Sequence, residues 1–188
     1  MDGHCDLLLI RHAPTATPGR LAGRRDVAAV LPPAQRLARL RRLLGMPDRL
    51  WVSPARRCLV TAEALFPGLR PLPDPRLWEQ DFGAWEGQAA ADLPDPGPLD
   101  RAGLAALRPP GGESFAELFD RTAPALRAAF AEGGRVAVVA HAGTVRAGLG
   151  LALGEPAAGL AFQVGPLGVT CLRAFPGGVW AVQWVNRT

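Results

Sequence analysis

Lysine is absent from this chain: all 21 of its basic residues are arginine. Schiff-base and lysine-nucleophile chemistry are therefore excluded, and positive charge is carried only by planar guanidinium forks suited to phosphate or carboxylate. Cysteine is scarce as well. Cys5, Cys58 and Cys171 form an odd, widely spaced set without a CxxC pair, which argues against a disulfide framework or zinc site and for a reducing cytoplasm. Long hydrophobic runs are missing too. The first apolar run, residues 7–10, is shorter than the roughly 7–15 residues of a signal-peptide core, so no secretory leader is expected. No charge occurs between Glu155 and Arg173, but Pro156, Gln163, Pro166 and several glycines interrupt that stretch, which reads as strands or loops and not as a membrane span.

What is present fits one domain over residues 1–188, since 48% hydrophobic content in 188 residues supplies a sizeable core. Glycine (22) and proline (19) are enriched yet short of a low-complexity share, and should sit in loops. The formal charge of +4 in a lysine-free, Arg- and Ala-rich chain reflects genomic base composition more simply than a nucleic-acid partner.

Three apolar runs stop at polar groups suited to an anion: LLLI before Arg11-His12, LWV before Ser53-Pro54-Ala55-Arg56-Arg57, and VAVVA before His141. Buried parallel strands read as such runs, and in open α/β sheets ligands sit beyond their carboxyl ends. Two of the three histidines occupy those ends; the third, His4, belongs to an N-terminus expected to fray.

The pattern predicts helices from about 33, with Leu37, Leu40 and Leu44 on its apolar face and Arg36, Arg39, Arg41 and Arg42 solvated, and from about 54 to 65. Residues 71–75 read as extended. Residues 85–113, rich in Pro and Gly, read as a lid-like insertion with one short helix around 99–107. Ser114 and Glu117 form a capping box opening a helix that carries Pro124, expected to kink it. A strand at 136–140, a helix at 143–153 and two strands at 168–175 and 179–185 joined by Pro176-Gly177-Gly178 complete the chain. Alternating strands and helices imply an α/β fold, a three-layer α/β/α sandwich whose mainly parallel central sheet ends in an antiparallel hairpin.

Arg11-His12 alone says little: among 21 arginines and 3 histidines such a pair arises by chance in roughly one chain of three. In context the chain resembles the histidine phosphatase superfamily, also called phosphoglycerate-mutase-like. The resemblance rests on Leu9-Ile10-Arg11-His12, Ser53-Pro54-Ala55-Arg56-Arg57 with Thr61-Ala62, Leu77-Trp78-Glu79, Gly111-Gly112-Glu113-Ser114 and Ala140-His141-Ala142-Gly143, in the family's order. It implies that His12 accepts the phosphoryl group, and a neutral imidazole suits that task. Arg11, Arg57, His141 and Ala142 would surround the phosphoryl oxygens, with Arg56 exposed. Glu79, flanked by apolar Trp78, Phe82 and Trp85, would protonate the leaving oxygen and then activate water, with Asp81 and Glu86 as fallbacks. Helix capping accounts for Glu113 and Ser114. Thr15, Gly19 and Trp85 are the expected substrate contacts, and neither cofactor nor metal is implied.

The run Glu79-Gln80-Asp81-Phe82-Gly83-Ala84-Trp85-Glu86-Gly87 is similar to the corresponding segment of α-ribazole phosphatases, which act in assembly of the cobalamin nucleotide loop. The expected partner is thus a small phosphorylated metabolite, with no nucleic acid and no membrane; a homodimer is left open. Ala13 stands where the family normally has glycine, which would put a methyl beside the phosphate pocket, and Pro18 falls where many relatives carry asparagine. Competing readings are a phosphatase for sugar phosphates or other small phosphomonoesters, a mutase-like enzyme, an inactive polyanion-binding module using Arg20, Arg24, Arg25 and the first helix, and a metal hydrolase using His12, His141 and Glu79. The last lacks any close ligand pair.

Overall fold

The protein is described from a computed structural model in which residues 4–188 are placed. Strands β1 (Cys5–Arg11), β2 (Arg49–Val52), β3 (Leu72–Pro73), β4 (Gly134–Ala140), β5 (Val169–Phe175) and β6 (Val179–Arg187) form one sheet in the order β3-β2-β4-β1-β5-β6. The first four pair in parallel, while β5 runs antiparallel to both β1 and β6.

The pleat sorts each strand's side chains between two cores. Leu8 and Ile10 of β1 pack with Leu50, Val52, Ala137 and Val139 against helices α1 (Ala34–Leu44) and α2 (Arg56–Leu65). Leu7 and Leu9 face the other way, with Val136 and Val138, toward α4 (Phe115–Ala131) and α5 (Ala142–Leu153). Both faces of these strands are buried, so their sequence is a continuous apolar run instead of an alternation. The expected three layers are present.

Helix α1 buries Leu37, Leu40 and Leu44, the predicted face. Ser114 caps α4 in a complete capping box with Glu117, an arrangement worth about 1 kcal/mol, and the helix runs unbroken through Pro124. The predicted short helix of the insertion is α3 (Arg101–Ala106), capped by Asp100. The uncharged stretch after Glu155 is not only strand and loop: Pro156–Ala161 forms a 3-10 turn that buries Ala157 and Gly159, because Pro156 is pre-set for the first helical position. No helix among the described residues is long and apolar enough to cross a membrane.

Register explains the site. Arg11 pairs with Ala140 and Val52 with Val139, so His12, Ser53 and His141 leave three adjacent parallel strands at the same edge. The first residues beyond β1 and β2 remain pinned, His12 N–H donating to Ala140 O at 2.9 Å and Ser53 N–H to Val139 O at 3.0 Å.

Candidate active site

Beyond that edge lies a cavity of about 280 Å³ lined by Arg11, His12, Thr15, Arg20, Arg57 and Glu79, with the α5 N-terminus (Ala142, Gly143) and Arg146 in its wall. Four guanidinium groups thus face one carboxylate.

His12 is 5% exposed. Its Nδ1 lies 2.6 Å from the carbonyl oxygen of Ala13, which can only accept, so Nδ1 carries the ring proton and Nε2 keeps its lone pair. Burial, helped by the charges of Arg57 and Arg11 and opposed by the bond to Ala13, lowers its pKa to about 3. The imidazole is neutral at physiological pH. The Ala13 methyl does not project beside the phosphate pocket as expected; it is fully buried in the core beneath α2, and Ala13 N–H donates to Thr61 Oγ1 at 2.9 Å.

Arg57 has no solvent exposure. It donates through Nη1 to Arg25 O and through Nη2 to Gly23 O, both at 2.8 Å, while Arg11 Nη1 donates to Val164 O at 2.6 Å. The Nε–H groups of Arg11 and Arg57 are buried without an acceptor. Arg24 and Arg135 carry such a group as well, but only Arg11 and Arg57 of the four also line the cavity, where their charge suits an anion. Burial also draws the Arg11 guanidinium below its ordinary pKa, against the pull of Glu79.

His141 differs from expectation. It is fully buried behind the cavity wall and not on it, its ring centroid 5.3 Å from that of His12 in an edge-on contact. Arg57 Nη2 donates to its Nδ1 at 3.2 Å, which puts the proton on Nε2 and directs it to Ser53 Oγ at 2.8 Å. Both ring nitrogens are engaged within the protein, so the ring braces Arg57 directly. Burial and the adjoining Arg57 charge hold its pKa well below the usual imidazole range. Trp78 stacks on this ring at 6.4 Å, and Arg24 lies over Trp78 at 5.7 Å.

Glu79 reaches the cavity from the loop after a 3-10 turn, Pro75–Leu77, and its Oε1 accepts from Gly143 N–H at 3.2 Å. Its fallbacks are engaged elsewhere. Asp81 Oδ1 accepts from Gly83 N–H at 2.8 Å, and Glu86 Oε1 accepts from Arg24 N–H at 2.6 Å. A side chain on Gly23 would collide with that Glu86 carboxylate, and φ is +52° there, so the loop over the site needs glycine.

Capping does not account for Glu113; Ser114 does that work with Glu117. Glu113 instead receives Arg121 Nε at 2.9 Å and Asp81 N–H at 3.0 Å, while Arg121 Nη2 donates to Glu79 O at 3.0 Å. The pair fixes the backbone that carries Glu79. Among the predicted substrate contacts, Thr15 lines the main cavity. Gly19 lines a neighbouring one with Pro18, and Trp85 lines an adjoining apolar pocket. Arg146 is not singled out by the sequence, which offers Arg20 only for the polyanion reading and Ser53 only as part of a motif. Arg146 follows His141 by five residues on the predicted helix, a placement that offered a signal.

Among the described residues no cluster of three His, Cys, Asp or Glu side chains is arranged to hold a metal ion. Exposed Arg56 lies outside the cavity, as expected.

Residues 7–188 match the family described as histidine phosphatase superfamily, branch 1. Among solved structures, a mycobacterial hydrolase is 26% identical with TM-score 0.85, covering 98% of this chain and 99% of the other. A mycobacterial glucosyl-3-phosphoglycerate phosphatase is 25% identical with TM-score 0.83, covering 98% and 100%. A candidate alpha-ribazole-5′-P phosphatase from Escherichia coli shares the fold, with TM-score 0.82 at 22% identity over 97% and 96% of the two chains. No curated protein sequence matches the chain.

Proposed function

The chain belongs to the histidine phosphatase superfamily, and from that premise we propose that it is a metal-independent phosphomonoesterase working through a phosphohistidine on His12, with α-ribazole 5′-phosphate as its substrate in assembly of the cobalamin nucleotide loop. The observation that carries the reaction is the His12 tautomer: Nδ1–H is committed to Ala13 O at 2.6 Å, so a lone pair remains on Nε2 at the cavity wall.

Nε2 attacks phosphorus in line with the ester oxygen, the P–O bond breaks, and Glu79 delivers a proton to the departing alkoxide. The carbonyl of Ala13 stabilises the positive charge that develops on the ring. Arg11 and Arg57 supply positive charge for the phosphoryl oxygens, and the α5 N-terminus adds backbone donors. Water then attacks the phosphohistidine; Glu79 accepts its proton as the N–P bond breaks, releasing phosphate. Four arginines around the cavity oppose a cation there, which favours chemistry without a metal.

The substrate assignment is supported by the resemblance of residues 79–87 to α-ribazole phosphatases. A second reading, a phosphatase for sugar phosphates, is favoured by the 25%-identical phosphatase of a glucosylated phosphoglycerate and by the extra guanidiniums of Arg20 and Arg146. Three buried thiols fit a cytoplasmic enzyme.

Incubation with ³²P-labelled α-ribazole phosphate, quenched separately in acid and in alkali, tests the reaction. The expected result is an acid-labile, alkali-stable protein adduct lost in His12→Ala. No adduct, together with no phosphate release, refutes it. Faster turnover of sugar phosphates than of α-ribazole phosphate refutes the substrate assignment alone.

A further inference from the structure

A second compartment of about 260 Å³ adjoins the phosphate cavity and shares Gln80, Phe82, Phe115, Arg146 and Leu160 with its wall. Its remaining wall is Trp85, Leu104, Leu107 and Pro109. No carboxylate lines it, and its two polar side chains, Gln80 and Arg146, both belong to the shared wall.

We propose that this compartment is the leaving-group site and that it selects phosphomonoesters whose alcohol carries a flat apolar ring system one short polar linker away from the ester oxygen. The inference rests on the phosphatase reading and narrows the class of ester.

Three observations support it. The compartment opens directly from the cavity that holds His12 and Glu79, so an ester seated on the arginines extends into it through the shared wall. Its walls come from the segment after Glu79, helix α3 and the residues after it, the start of α4, α5 through Arg146 and the 3-10 turn through Leu160, which converge around an aromatic cleft. Phe82, Trp85 and Phe115 offer the faces and edges on which a planar ring stacks, and the leucines close the sides. Hydroxyl-rich alcohols would lose water there without gaining partners.

Arg146 marks the boundary. Its Nε donates to Phe162 O at 3.1 Å, and it makes no ion pair among the described residues. Its remaining N–H groups are free for acceptors on the linker, and its plane can lie against an aromatic ring. Gln80, held to Glu113 O at 2.8 Å, adds a fixed amide on the same wall.

The test compares methyl phosphate, naphthylmethyl phosphate and glucose 6-phosphate, all esters of primary alcohols. We expect kcat/KM for naphthylmethyl phosphate to exceed that for methyl phosphate by about 10- to 50-fold from burial of the ring, with glucose 6-phosphate below naphthylmethyl phosphate. Leu104→Asp, at a position 43% exposed on α3 and so tolerant of charge, should reduce the naphthylmethyl-to-methyl ratio about tenfold or more. Three esters turned over within threefold of one another, a preference for glucose 6-phosphate, or a variant that lowers all three equally would overturn the proposal. Calorimetric titration with naphthylmethylphosphonate and methylphosphonate reads the same site without turnover. Tighter naphthylmethylphosphonate binding by a protein that releases no phosphate and forms no adduct would sustain the leaving-group site while refuting the reaction. Equal affinities would refute the site.

Discussion

Gly143 N–H donates to Oε1 of Glu79 at 3.2 Å, and a methyl group on Gly143 would stand 2.4 Å from that same oxygen and 2.7 Å from Leu118 Cδ1. The absence of a side chain at the start of α5 is what lets the carboxyl approach the site. Gly143→Ala should therefore displace Glu79 while sparing the arginines. For alkyl phosphates, kcat should fall on the order of 10- to 100-fold with little change in KM, since a misplaced general acid forfeits part of its contribution. Esters of p-nitrophenol, whose departure needs no proton, should lose far less. Equal losses in kcat/KM, which excludes the dephosphorylation step that Glu79 also serves, would show that Glu79 is not the acid.

The Glu113–Arg121 pair should act on the same step from a distance. Burial alone would push the Glu113 carboxyl up, but hydrogen bonding and charge from Arg121 hold it below its ordinary value. Arg121→Lys keeps the charge but not the fork that joins Arg76 O, Glu79 O and Glu113. We expect a steeper dependence of kcat on leaving-group pKa across a phosphate-ester series. A uniform drop would mean the pair serves folding only.

Stability should fall with acid earlier than carboxylates alone would cause. Above about pH 6.5 the His12 imidazole is neutral in both folded and unfolded chains and contributes nothing. From there down to its folded value of about 3, the unfolded chain takes a proton that the buried ring refuses, so the folded state weakens by about 1.4 kcal/mol per pH unit, and below that no further. His141 shifts in the same direction and adds to the slope. Asp6, held below its ordinary value by its hydrogen bond from Arg173, enters only below about pH 5. Urea midpoints between pH 7 and pH 5 measure this, and a flat profile over that window would contradict the burial of both rings.

All three thiols are buried, with Cys5 pushed up to about 11, Cys171 to about 12 and Cys58 further still by burial. Iodoacetamide at pH 8 should leave them unmodified in the native protein and label all three after denaturation, as read by intact mass. Rapid native labelling of Cys58 would show that the wall behind His141 opens.

Much of this was legible in the sequence because burial on both faces writes a strand as an unbroken apolar run, and because β1, β2 and β4 each end on a distinctive polar residue. Helix α1 was readable from three leucines, α4 from its capping box. Other features arise from side-chain reach, which spacing does not encode. Nothing in the string indicates that Arg57 turns its terminal nitrogens onto Gly23 and Arg25, or that Ser53 meets the Nε2 of His141. The place of the Ala13 methyl is hidden from the sequence for a similar reason: its neighbour His12 faces the cavity, while Ala13 itself turns into the core. The fate of Glu113 depended on Arg121, eight residues along α4, and so on where the helix packs.

The two carbonyls that Arg57 grips belong to the stretch of chain carrying Arg24 and Arg25. An oxyanion seated on that guanidinium would steady both at once, so occupancy and closure of residues 20–25 draw on one shared free energy. A peptide bond after Arg25 that trypsin cuts slowly with phosphate present and faster without it would be the outward sign of that coupling.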